Sequence, residues 1–186
     1  MRTYLLKFRD SMLELKSVRA VTQMAMLMAL SLILNLFASI QITESLKLSF
    51  GFLATAMMGM LFGPSLAAIG AGLIDILQAF IKPTGPYFPG FTLTAALTGV
   101  IFGLLLYKNK CTLPRLIIAK ALINLLLNLL LNSIFISVLY GSAFWAMLPT
   151  RLFKNLVMLP IEVLLLYLLL PNLIRLQKYL SNKKSG

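Results

Sequence analysis

The stretch Lys82–Thr92, K-P-T-G-P-Y-F-P-G-F-T, separates two long apolar runs and decides how the chain is organised. It holds three of the eight prolines, two glycines and three aromatic rings. Proline locks φ and removes a backbone donor, so no helix is expected to run through this segment. Glycine lets the backbone fold tightly over a neighbour. The flanking runs are apolar enough to be membrane spans. A connection this rigid and aromatic reads as one wall or lid of a binding site for a flat organic molecule.

Working outward, the 186 residues are 60% hydrophobic and 12% charged. Soluble domains are about half apolar, with about a quarter of their residues charged. Too little polar surface remains to cover a water-soluble globule, so the chain reads as an integral membrane protein. The net charge of +12 would suit nucleic acid, but the basic residues cluster at the ends of apolar runs, as a membrane imposes. The single Cys111 excludes a disulfide within the chain. With no histidine, histidine-based metal sites and proton relays are excluded. No cofactor, metal site or catalytic residue is expected.

The expected fold is all-α: one transmembrane domain over 1–186, a bundle of six helices. The spans are placed at about Arg19–Ile40, Leu46–Phe62, Pro64–Ile81, Leu93–Tyr107, Leu116–Tyr140 and Leu148–Leu176, each near the ~20 residues that cross the hydrocarbon. The Gly63-Pro64 pair should turn the chain sharply. Residues 1–18 read as an amphipathic helix on the cytoplasmic face and 177–186 as a basic tail. No cleaved signal peptide is expected, since no small-residue cleavage pattern follows the first long apolar run.

Twelve of the seventeen basic residues fall in the amino-terminal segment, in the Lys108–Arg115 connection and in the tail. Lys47 and Lys82 lie on the other side. Both termini are therefore expected in the cytoplasm, and the proline-rich loop outside.

Asp75, Lys120, Arg151, Lys154 and Glu162 fall inside the expected spans. Each costs about 2.5–3.5 kcal/mol at mid-membrane, so each needs a partner or a wet cavity. At a rise of about 1.5 Å per residue, Asp75, Arg151, Lys154, Asn155 and Asn132 all lie about 5–12 Å below the outer face. Asn124, Asn128 and Asn132 recur every four residues on one helical face, as do Arg151, Asn155, Met158 and Glu162. Asparagines so spaced can also bind helices together, and Asp75 with Arg151 can form a structural ion pair. The functional reading is a polar pocket opening outward, with Lys120 and Glu162 deeper and structural. Tyr87, Phe88, Phe91 and Trp145 would stack on a ring, or else form an interfacial belt. Arg151 and Lys154 would hold carboxylates, with Thr84, Gly85, Asp75, Asn128, Asn132 and Asn155 completing the set. Ala25-Met-Leu-Met-Ala29 and Gly59–Gly63 are small-xxx-small patterns that admit another helix closely.

Several runs then resemble one family. They are E-L-K-S-V-R-A (Glu14–Ala20), the Ala25xxxAla29 pair, G-F-L-A-T-A-M-M-G-M-L-F-G-P (Gly51–Pro64), P-T-G-P-Y-F-P-G-F-T (Pro83–Thr92) and L-P-T-R-L-F-K-N-L-V-M-L-P (Leu148–Pro160). Together they are similar to the substrate-binding (S) subunits of energy-coupling-factor (ECF) vitamin transporters, specifically the folate-binding type. The resemblance implies folate captured from outside, with no ATP hydrolysis by this chain. It also implies a transmembrane coupling subunit of the EcfT type, two cytosolic ATPase subunits, and multi-pass residence in a bacterial cell membrane. The family's docking motif falls on Ala25 and Ala29. The competing expectations are an S subunit for riboflavin or thiamine, and a stand-alone facilitator that carries protons on Asp75 or Glu162. An intramembrane enzyme fits poorly, with one outer-layer aspartate and no histidine.

Overall fold

Apolar runs of about 20 residues must satisfy their own backbone hydrogen bonds in lipid, and helices are the local solution. The computed structural model describes residues 2–37, 39–43, 46–83, 86–141 and 144–182. It is built from helices α1 (Arg2–Leu13), α2 (Val18–Phe37), α3 (Gly51–Ile81), α4 (Pro89–Leu106), α5 (Leu113–Leu122), α6 (Asn132–Tyr140) and α7 (Phe144–Asn182). A π-helical segment, Ile123–Leu131, joins α5 to α6, so that Leu113–Tyr140 forms one rod. Among the described residues, five helices are long and apolar enough to cross a membrane: α2, α3, α4, this rod and α7.

An antiparallel hairpin interrupts the helices, formed by β1 (Ser39–Thr43) and β2 (Leu46–Ser49), which pair Ser39 with Ser49 and Gln41 with Lys47. Helix was expected from Leu46. Instead Ile40-Gln-Ile-Thr43 and Leu46-Lys-Leu-Ser49 alternate apolar and polar residues, the period of a strand. The proline loop also ends earlier than expected. Pro89 occupies the first turn of α4, where its missing N–H costs nothing. Likewise α7 begins at Phe144, upstream of the expected Leu148.

The break at Gly63-Pro64 is where the sequence places it. Gly63 has φ 83° and ψ −176°, outside helical geometry and favoured only by glycine. Here α3 folds back on itself. Gly51 and Thr55 of the first arm line one small cavity with Ala71, Asp75 and Gln78 of the second. The Gly59–Gly63 pair, read from sequence as a surface for another protein, serves internal packing. A methyl group on Gly59 would meet the Gly103 backbone N at 2.8 Å, and one on Gly103 would meet Pro64 Cα at 2.4 Å. The α3–α4 contact therefore needs glycines on both sides, around the buried Met58 and Phe102.

Helix α1 does more than lie on a surface. Its buried Ser11 sits at the α3 break, donating to the Phe62 carbonyl at 2.6 Å and accepting from Leu66 N at 3.1 Å. One hydroxyl thus satisfies the last carbonyl of one arm and an early N–H of the next. Ser65 donates to the Phe8 carbonyl at 3.0 Å, and Lys7 to the Leu104 carbonyl at 2.9 Å. Burial first, and repulsion from Arg115 second, lower the Lys7 ammonium from its ordinary value.

Candidate ligand-binding cavity

The end of the bundle away from Ser11 holds a cavity of about 800 Å³. Its main wall comes from the π segment, α6 and α7. Asn124, Asn128 and Asn132 face Arg151, Lys154, Asn155, Met158 and Glu162 across it. In a straight α-helix each step of four residues drifts by about 40°, so Asn124 and Asn132 would diverge by about 80°. The wider π turn counters that drift. The three amides form a continuous chain: Asn132 Nδ2 donates to Asn128 Oδ1 at 3.4 Å, and Asn128 Nδ2 to Asn124 Oδ1 at 3.2 Å. Asn124 Nδ2 then donates to Glu162 Oε2 at 2.9 Å.

At the inner end Lys120 Nζ lies 2.9 Å from the same Glu162 oxygen and 4.7 Å from the centre of the Phe52 ring. Lys120 is 2% exposed, so this pair is a structural neutralisation of the kind a low-dielectric interior demands. It also forms the cavity floor. Towards the mouth, Arg151 Nη1 donates to Ser133 Oγ at 3.4 Å. Lys154 and Asn155 follow on the same face of α7, Asn155 being buried.

Not every residue singled out from sequence joins this wall. Asp75 lies in the neighbouring cavity of about 200 Å³ between the arms of α3, and no ion pair links it to Arg151. Asp75 Oδ2 accepts from Thr92 Oγ1 at 2.7 Å, and Thr92 Oγ1 lies 2.8 Å from the Tyr87 hydroxyl. Thr92 has one proton and gives it to the carboxylate, so Tyr87 donates to Thr92. This relay ties the proline loop to α3. Phe88 packs against Phe91 and Phe135, with ring centres 5.9 and 5.4 Å away, so the loop leans on α6. Trp145 is 80% exposed and stacks edge-on with Phe144, 5.4 Å between centres. The rings of Tyr87, Phe88 and Trp145 thus stand outside the cavity wall, because local rigidity does not decide which way a loop leans. Thr84 and Gly85 lie outside the described residues.

Other wall residues escaped the sequence reading. Helix α2 contributes Asn35, which borders both cavities and donates to Gln78 Oε1 at 3.3 Å. Ser49 donates to Asn35 Oδ1. Thr98 also borders both cavities, and Phe52 gives the main cavity an aromatic face. A signal was present: Ser31 with Asn35, and Thr94 with Thr98, are polar pairs four apart on otherwise apolar helices. Ala25 and Ala29 are exposed on α2, while Met24 and Leu27 turn inward.

Comparison with known proteins bears on this geometry. Residues 19–170 match the family described as ECF transporter, substrate-specific component. The folate transporter FolT of Clostridium novyi (strain NT) is 39% identical over 82% of this chain and 88% of its own length. The folate transporter FolT of Leuconostoc mesenteroides subsp. mesenteroides is 34% identical over 83% of this chain and 85% of its own. A crystal structure of FolT bound with folic acid superposes with a TM-score of 0.76 at 35% identity, covering 82% of this chain and 93% of that one. By these matches over most of its length, the chain belongs to the substrate-specific components of ECF transporters.

Proposed function

We propose that the chain captures folate from the extracellular side and delivers it inward, driven by ATP hydrolysis in partner subunits. The cavity carries the reading. At about 800 Å³ it falls in the range of about 300–1,000 Å³ that suits a drug-sized ligand. Folate joins a flat, amide-bearing heterocycle to two carboxylates. Arg151 and Lys154 are suited to the carboxylates. Asn128, Asn132 and Asn155 are suited to the heterocycle's polar edge, with Phe52 available for stacking. Relatives that carry the name folate transporter, and a related chain crystallised with folic acid, agree with this choice over riboflavin or thiamine. Asp75, Tyr87 and the proline loop are assigned to shaping the mouth through the Thr92 relay.

In this reading the two arms of α3 count as separate crossings, giving six. Both termini face the cytoplasm of a bacterial cell, as the lysines and arginines of the amino-terminal segment, the Lys108–Arg115 connection and the tail favour. Ala25 and Ala29 present the small surface on which an EcfT-type coupling subunit docks, with two ATPase subunits beneath it.

The test is titration of folic acid, riboflavin and thiamine onto the purified protein in detergent, read by tryptophan fluorescence or calorimetry. Folic acid alone should bind. Binding of riboflavin or thiamine instead would reassign the cavity. Uptake into vesicles that follows pH in the absence of any ATPase subunit would favour the facilitator.

A further inference from the structure

The amide chain along the cavity wall has a direction, and one residue sets it. Glu162 Oε2 accepts from both Lys120 Nζ and Asn124 Nδ2, each at 2.9 Å. An ionised carboxylate has no proton to give, so a bonded asparagine must turn its NH2 towards it and its carbonyl away. Asn124, 1% exposed, has no solvent in which to settle the matter otherwise. Its Oδ1 faces Asn128 and accepts at 3.2 Å; Asn128 Oδ1 in turn faces Asn132 and accepts at 3.4 Å. Each amide repeats the orientation of the one before. The last carbonyl, Asn132 Oδ1, is buried and has no hydrogen-bond partner among the described residues, on a side chain that lines the cavity. A reversed chain would press Asn124 Oδ1 against the carboxylate and offer an N–H at Asn132 instead.

We propose that Glu162 is a positioning residue whose charge sets the polarity of the Asn124–Asn128–Asn132 chain, so that Asn132 offers an acceptor to the ligand and selects a heterocycle that donates an N–H there. This deepens, and rests on, the reading that the cavity takes folate. The amino-oxo pyrimidine ring of folic acid carries a ring N–H donor. In 2,4-diamino analogues that position is a lone pair, which wants an N–H opposite. The Lys120 ammonium, 2.9 Å from that same Glu162 oxygen, anchors it and thereby keeps the chain in register.

Four proteins test this: wild type, K120M/E162Q, N132D and K120M/E162Q/N132D. In K120M/E162Q neither a charge nor Lys120 fixes the amide of residue 162, whose NH2 can then face Asn124, so the chain can reverse. In the wild-type background N132D sets a carboxylate against Asn128 Oδ1, two acceptors face to face, and Tm should fall. In the K120M/E162Q background Asn128 can offer its NH2 instead, and N132D should leave Tm unchanged or raise it. Positions 132 and 162 do not touch, and independent sites add. Equal Tm shifts in both backgrounds would overturn the proposal. The second readout is the ratio of affinities for folic acid and its 2,4-diamino analogue, which K120M/E162Q should lower by about tenfold, the effect of one mispaired hydrogen bond. An unchanged ratio would overturn it too, whereas a purely structural Glu162 would weaken both ligands alike. Should the wild type bind no folic acid, the folate reading falls separately, and the thermal cycle still decides the direction of the chain.

Discussion

Arg151 stands on the same face of α7 as Lys154 and Asn155, and its guanidinium spends one N–H on Ser133 at 3.4 Å. The remaining donors are available to a carboxylate as a planar fork. In Arg151→Ala, folic acid binding should weaken by at least about tenfold, or ~1.5 kcal/mol, the scale of a charged hydrogen bond. Calorimetry on the purified variant reads this directly, and unchanged affinity would remove Arg151 from the site. The polar residues of this wall were legible from four-residue spacing alone, because each such face is a property of one helix. Asp75 was not. It shares the expected depth but bonds to Thr92 at 2.7 Å, and depth along a helix says nothing of which neighbour its face meets.

At the level of elements, the fold-back of α3 depends on a serine that lies far from it in sequence: Ser11 is 51 residues upstream of Phe62. Ser11→Ala would leave the Phe62 carbonyl and the Leu66 N–H buried without this partner. The expected loss is about 1–3 kcal/mol of stability, visible as a lower Tm in detergent. Thr22→Ala is the matched control. The Thr22 hydroxyl donates only to the Val18 carbonyl of its own helix, on an exposed face, and its removal should change stability by no more than about 0.5 kcal/mol. If the two variants melt alike, Ser11 is no clamp. The break itself was legible, since Gly-Pro punctuates a helix locally. Its clamp was not, because hydroxyl capping across 51 residues leaves no pattern in either segment.

For the whole molecule, the exposed Ala25 and Ala29 set a small-residue strip on the outside of α2, beside an inward face of Met24 and Leu27. Without a hydrophobic driving force in lipid, helices associate through close approach, which small residues permit. Ala25→Trp and Ala29→Trp should abolish co-purification with the coupling subunit and leave folic acid binding intact, since neither position borders the cavity. Loss of both activities together would instead report misfolding.

Membrane residence, the predominantly helical fold, the hinge at Gly63 and the two polar faces that meet at the cavity could all be read from the linear chain. Hydropathy, proline and glycine act within a few residues, and a period of 3.6 is written along a single helix. The hairpin was also written locally, in its alternation, but lay between stronger helical signals. Other features came only with the assembled bundle. They include the union of Lys120 with Glu162, the lean of the aromatic loop onto Phe135, the wall residues Asn35 and Thr98, and the polarity of the asparagine chain. Each is a choice of partner across distant segments, and only packing in three dimensions makes such a choice.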